Sequence, residues 1–189
     1  MNYTGLSKVI SGGQTGVDQA GLIAAHKMGI DTGGTAPAGF YTETGPNALL
    51  ELLGLKAEGD YRSRTIKNVK DSDGTVLLTV TSDSPGSRLT RNEAKRQNKP
   101  FLEIDLNPLM GMLLTGEATA MPGEISAAIH VSSSAIQEWL IDKHVATLNV
   151  AGNRERHKNL LTTLTTEMIL TDVFRVLAAE GMLIRDSDF

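Results

Sequence analysis

The stretch Lys8-Val9-Ile10-Ser11-Gly12-Gly13-Gln14-Thr15-Gly16-Val17-Asp18 decides how this chain folds. A short apolar, β-branched run stops at paired glycines, and a third glycine follows. From there Val17, Ala20, Gly21, Ala24, Ala25 and Met28 recur at helical spacing. The reading is strand, tight turn, helix, the arrangement from which phosphate sites are made. Gly12, Gly13 and Gly16 allow close backbone approach and positive φ. Their N–H groups, with the free ones at the helix start, are expected to point at one anion. Ser11 and Thr15 add hydroxyl donors, and Gln14 lies between them. The spacing fits neither G-x-x-x-x-G-K-[ST] nor G-x-G-x-x-G, so the turn indicates an anion without naming it. The plainer alternative is a glycine-rich turn before a capped helix.

Outward from this turn, strand and helix patterns alternate. Strands are expected at 8–11, 30–34, 74–80, 100–104 and 146–151, and helices at 17–28, 61–70, 88–97, 133–142 and 159–181. Alternation of this kind predicts an α/β fold: a Rossmann-like parallel sheet of about five strands with helices on both faces. Residues 35–60 read as a long Gly/Pro/Thr-rich loop with one or two helical turns near 46–53. Residues 106–133, with Met110, Met112 and Met121, read as an insertion, a hairpin or flap, within a single domain spanning 1–189. Its methionines suit an adaptable apolar contact, over a pocket or between subunits. In such sheets ligands bind beyond the carboxyl ends of the strands. That rule selects segments 12–18, 34–41, 81–90, 105 onward and 152–156, all dense in Gly, Pro, Ser, Thr, Asn or charge.

Composition narrows the function classes. The 189 residues carry a net charge of −4 and 4% aromatics, which argues against broad nucleic-acid binding. There is no cysteine, hence no disulfide or thiolate site, and the four histidines (His26, His130, His144, His157) are scattered, so no metal cage is expected. With neither signal-like nor membrane-spanning apolar run, a cytoplasmic protein is expected, without membrane partners.

The motifs resemble the molybdenum carrier family of the SLOG superfamily, Rossmann-like nucleotide-binding proteins. The matching residues are Ile10 to Asp18, Gly33-Gly34 with Pro37 and Gly39, Thr44-Gly45-Pro46, Tyr61-Arg62-Ser63-Arg64-Thr65 with Asn68-Val69, Asp71 to Thr75, and Leu148-Asn149-Val150-Ala151-Gly152. The resemblance implies a pocket for a nucleotide or another phosphate-bearing ligand, molybdenum cofactor included. Pro85-Gly86-Ser87-Arg88-Leu89-Thr90-Arg91-Asn92-Glu93 also looks like a degenerate Pro-Gly-Gly-x-Gly-Thr-x-x-Glu motif of Lonely-Guy phosphoribohydrolases. Ser87 and Leu89 replace its glycines, while Thr90 and Glu93 match. Ala38 and Phe40 stand where the carrier pattern has basic residues, and Asn153 where proline is usual.

The candidate ligand residues are therefore Ser11, Gly12, Gly13, Gln14, Thr15, Gly16, Asp18, Gly34, Arg62, Arg64, Gly86, Ser87, Arg88, Thr90, Gly152, Asn153 and Arg154. Asp18 is either a first-turn carboxylate favoured by the helix dipole or a contact to a ribose hydroxyl or magnesium. Arg62 and Arg64 either fork around phosphate, or one points inward and the other to solvent. Arg88 is expected to hold phosphate. Thr90 and Glu93 have capping-box spacing, while Glu93 is the catalytic candidate for stabilising a ribosyl centre or activating water. Asp71 and Asp73 read as turn residues. Three functions follow: a carrier, sensor or sequestering protein for a phosphate-bearing ligand; a nucleoside-monophosphate phosphoribohydrolase using Glu93; or a subunit of a homo-oligomer without ligand turnover.

Overall fold

The computed structural model describes residues 4–114, 122–155 and 160–184. The parts of the expected insertion at 115–121, and of the last turn and helix start at 156–159, lie outside these residues.

In chain order the elements are β1 (Lys8–Ser11), α1 (Val17–Lys27), β2 (Asp31–Ala36), a 3₁₀ turn (Ala38–Phe40), β3 (Tyr41–Thr42), β4 (Gly45–Pro46), α2 (Leu49–Leu52), β5 (Leu55–Ala57), α3 (Tyr61–Asp71), β6 (Gly74–Thr79), α4 (Pro85–Arg96), β7 (Phe101–Asp105), α5 (Asn107–Leu114), α6 (Pro122–Asp142), β8 (Thr147–Gly152) and α7 (Leu161–Ala179). The expected Rossmann-like sheet is present, with six parallel strands in the order β5-β2-β1-β8-β6-β7. The extra strand is β5, three residues that follow Gly54 at φ 77°. It is too short to show an alternating pattern, yet it buries Leu55 beside Leu22, Leu50 and Leu53. β3 and β4 form a separate antiparallel hairpin.

The connections β1–α1–β2 and β6–α4–β7 run toward opposite edges of the sheet. Right-handed crossovers therefore put α1 and α4 on opposite faces. α1 packs on α7 and α7 on α6, while α3 packs on α4. Val17, Ala24, Val150, Ile136, Ile169 and Phe174 fill the core of the first face. Gly21 lets α1 approach Val150 on β8, since a Cβ there would lie 2.6 Å from a valine methyl.

Two expected boundaries are corrected. α4 starts at Pro85, because Ser84 caps it by accepting the Ser87 N–H and proline is preset for a first helical position. The helix expected to start at Ser133 starts at Pro122. Ser133 lies inside α6, and its hydroxyl donates to His130 O and Asp172 Oδ2. The described part of the 106–133 segment is two helices, α5 and the first half of α6, where a hairpin or flap was expected.

α3 is fixed to the sheet by Asn68. Its side chain accepts from Thr35 N at 2.8 Å and donates to Thr35 O at 3.0 Å, all buried. Asn68→Ala strands both backbone groups. The expected cost is about 2–4 kcal/mol, measured as a lower urea midpoint at unchanged slope.

Candidate functional site

The carboxyl rim of the sheet gathers the turn after β1, the end of β8, the start of α4, the N-terminal turns of α3 and the β3–β4 hairpin. The glycine turn is built differently from the expected open cradle. A Cβ on Gly12 would fall inside the Arg64 guanidinium, one on Gly13 would lie 2.8 Å from Leu50, and one on Gly16 would lie 2.6 Å from Asn153 O and Glu155 N. The glycines thus admit neighbours that a side chain would exclude. Four amides of the turn are engaged within the chain: Gly13 N donates to Ser11 Oγ, Gln14 N to Asp18 Oδ2, Thr15 N to Gln14 Oε1, and Val17 N to Asn153 O. These four donors hold the turn's own shape, where the turn's amides were expected to converge on a ligand.

The charge over the turn comes instead from Arg64. Its position follows from Asn68, one helical turn later on the same face of α3. Arg64 NH1 donates to Asp18 Oδ2 at 3.0 Å, with side chains only 14% and 3% exposed. Its guanidinium carbon lies 5.9 Å from the centre of the Tyr61 ring. Nε of Arg64 is buried and has no hydrogen-bond partner among the described residues. Burial pushes the Asp18 carboxyl above its ordinary range, and the Arg64 charge and the Gln14 and Gly152 backbone pull it back. Asp18 is therefore the buried counter-ion of Arg64, beyond the dipole role considered for it. Arg62, two residues earlier, is exposed. Of the two readings of this arginine pair, the structure has one inward and one outward.

Beside this pair, β8 ends in a second set of contacts. Asn153 Oδ1 accepts from Val80 N at 2.7 Å and Thr81 N at 2.8 Å, and its Nδ2 donates to Thr81 O and Ser84 Oγ. Its amide joins β8, the β6–α4 loop and the α4 cap, a structural staple where a ligand contact was expected. Gly152 allows β8 to pass Leu78 O and Val17. Ser84, Pro85, Gly86, Gly152, Asn153 and Arg154 line a cavity of about 170 Å³. Arg154 is half exposed and donates to Glu43 Oε2 at 3.1 Å.

The other candidates are occupied with partners of their own. Gly34, at φ 116°, packs against the Ser11 backbone inside the sheet. Ser87 Oγ is within 2.8 Å of the Ser84 hydroxyl, and Thr90 Oγ1 donates to Gly86 O. Because α4 starts at Pro85, Thr90 and Glu93 are not at a helix start, and the capping-box reading is corrected. Glu93 is eight residues into α4, about 12 Å along the axis. Its carboxylate is buried and accepts from Arg96 Nε at 2.9 Å and Gln97 Nε2 at 3.2 Å. The Arg96 hydrogen bond holds it below the ordinary carboxyl range. Arg88 is half exposed and paired with Asp83 at 3.2 Å, at the α4 start.

Sequence reasoning missed Glu43 and Tyr61. Gln14 Oε1 accepts from Glu43 N at 3.0 Å, and Gln14 Nε2 lies 3.4 Å from the Tyr61 hydroxyl. In sequence this segment reads as part of the 35–60 loop, and nothing local shows that it forms a hairpin folded back over Thr15.

With this geometry in place, the comparisons are specific. Residues 9–174 match the model of the circularly permutated YpsA SLOG family. The fold is similar to the 1.45 Å crystal structure of a protein from Syntrophus aciditrophicus SB named as a candidate molybdenum carrier, at 34% identity and a TM-score of 0.72, over 90% of this chain and 96% of that one. No curated protein matches. The chain belongs to the circularly permutated YpsA SLOG family.

Arg64→Ala leaves Asp18 buried without its counter-ion, with an expected cost of about 3–5 kcal/mol at pH 7. Asp18 already binds its proton more tightly folded than unfolded. The variant accentuates this, so its penalty is full above the raised folded pKa, shrinks as pH falls from there toward about 4, the unfolded value, and is gone below it. Urea titrations of both proteins at pH 7 and pH 4 measure the difference.

Proposed function

We propose that this SLOG-family protein binds a small phosphate-bearing ligand, nucleotide-derived or of molybdopterin type, at the carboxyl rim of its sheet, and serves as its carrier, sensor or sequestering protein. The observation that carries this reading is the unpartnered Nε of Arg64. An unmet buried donor costs about 1–3 kcal/mol, and the chain keeps one at a rim where α/β sheets bind ligands. Asp18 takes NH1 alone. The side-on edge of the guanidinium thus keeps its capacity to grip two oxygens of a phosphate, a geometry that arginine matches well.

Three further facts support the reading. The cavity between Ser84 and Arg154 adjoins this edge of the sheet and offers polar groups from the α4 start. The structural relative is named for carrying molybdenum, which fits cargo held through oxyanions. Glu93 is engaged by Arg96 and Gln97, so the geometry favours retention of a ligand over hydrolysis of one.

Titration calorimetry with AMP, and with adenosine as the uncharged control, tests the reading. Arg64→Lys keeps a charge for Asp18 and loses the fork. AMP is expected to bind the wild type, more tightly than adenosine does, and to bind Arg64→Lys at least tenfold more weakly. Equal affinity for the two proteins overturns the assignment to Arg64. Native mass spectrometry of protein purified from its host is expected to show a bound phosphate-bearing molecule.

A further inference from the structure

The tip of the β3–β4 hairpin reaches over the turn after β1 and places one carboxylate there. Glu43 Oε1 accepts from Thr15 Oγ1 at 2.5 Å, and Oε2 accepts from Arg154 NH1 at 3.1 Å. The two donors come from the turn after β1 and the segment after β8, neighbouring strands of the sheet. A hydroxyl and a guanidinium converging on two oxygens of one anion is a donor set that a phosphate fits equally well. Arg154 also lines the cavity at the α4 start, so this carboxylate is paired with a residue of that cavity.

The hairpin is light enough to move. Each strand has two residues, and a two-stranded hairpin has little stability of its own. Internally it is tied by Thr42 Oγ1 donating to Gly45 O. Its grip on the rim runs mainly through Glu43, the carboxylate on Thr15 and Arg154 and the backbone N–H on Gln14, with one long bond from the Tyr61 hydroxyl to Tyr41 O at 3.5 Å. The Arg154–Glu43 pair is 53% and 25% exposed, and pairs of that exposure contribute little to stability. It can therefore be exchanged at low cost.

We infer that Thr15 and Arg154 form an anion subsite for a phosphate group of the ligand, and that Glu43 is its internal occupant, which closes the empty site and is displaced on binding. The inference rests on the proposed binding of a phosphate-bearing ligand at this rim, and adds where a phosphate goes and what must leave. Charge decides the direction of the exchange. A phosphate carries about two negative charges near neutral pH, against one on Glu43. The like charges cannot share the two donors, so ligand binding opens the hairpin.

The test measures AMP and adenosine affinities by calorimetry for wild type, Glu43→Ala, Glu43→Gln and Arg154→Ala, with hydrogen exchange of residues 41–46. Removal of the competing carboxylate is expected to tighten AMP binding about tenfold, the factor for ~1.4 kcal/mol, and to leave adenosine binding unchanged. Arg154→Ala weakens AMP in both the wild-type and Glu43→Ala backgrounds. AMP speeds amide exchange in the hairpin of the wild type. If AMP binds in an Arg64-dependent way, but Glu43→Ala and Glu43→Gln bind it equally or more weakly than wild type, Glu43 is a structural clamp and this inference falls alone. If AMP binds neither the wild type nor Glu43→Ala, the reading of the rim as its binding site falls, and the inference with it.

Discussion

One buried ion pair organises this rim: Arg64 laid across Gly12, with Asp18 beneath it. Burying a carboxylate is costly unless a counter-charge and hydrogen bonds compensate. Asp18 is 3% exposed and has both, from Arg64 and from the Gln14 backbone. The compensation works only if the guanidinium reaches the β1–α1 turn. That requires no side chain at residue 12 and a helix docked at one height above the sheet. The first condition is met by Gly12 and the second by Asn68 on Thr35. Turn, helix and strand are thereby coupled, and an error in any one of them exposes a charge with no partner.

This coupling accounts for the segment between β2 and α3. Twenty-odd residues without a helix of useful length are rare inside a compact domain unless they serve a site. Here they place Leu50 and Leu55 against Gly13 and carry the hairpin that ends on Thr15. They also deliver Asp60, whose capping box with Ser63 fixes where α3 begins. Arg64 then emerges one turn later, pointing at Gly12. The length of the segment is set by what its far end must position.

Much of the architecture is legible in the residues. The 8–18 stretch specified strand, turn and helix because β-branched residues, glycines and helical spacing agree there, and local agreement of this kind marks a consistent fold. β5 escaped because three residues carry no period. The start of α4 escaped because Pro85-Gly86 reads as a loop by composition, although proline at a first helical position and serine before it mark a helix start. At the site, residue types were legible and directions were not. Ser11, Gly12, Arg64, Asp18 and Arg154 do meet at one rim, but whether the turn's amides face outward or back into the chain depends on tertiary neighbours that spacing does not encode. Glu43 could not be found locally, because its partners are 28 and 111 residues away.

The two arginines of the rim differ in what an anion can take from them. Releasing Arg64 from Asp18 would abandon a carboxylate in a low-dielectric site, at a cost of several kcal/mol, more than a weakly held ligand returns. Releasing Arg154 from Glu43 sends a carboxylate into water at little cost. On the proposed reading, an incoming phosphate would add to the unused edge of Arg64 while leaving Asp18 in place, and would substitute for Glu43 at Arg154. A ligand that uses both arginines retains the buried pair and exchanges the exposed one. Its affinity would then be set by the difference between its own charge and that of the carboxylate it displaces, which would favour phosphate over neutral groups before any contact to the rest of the molecule counts.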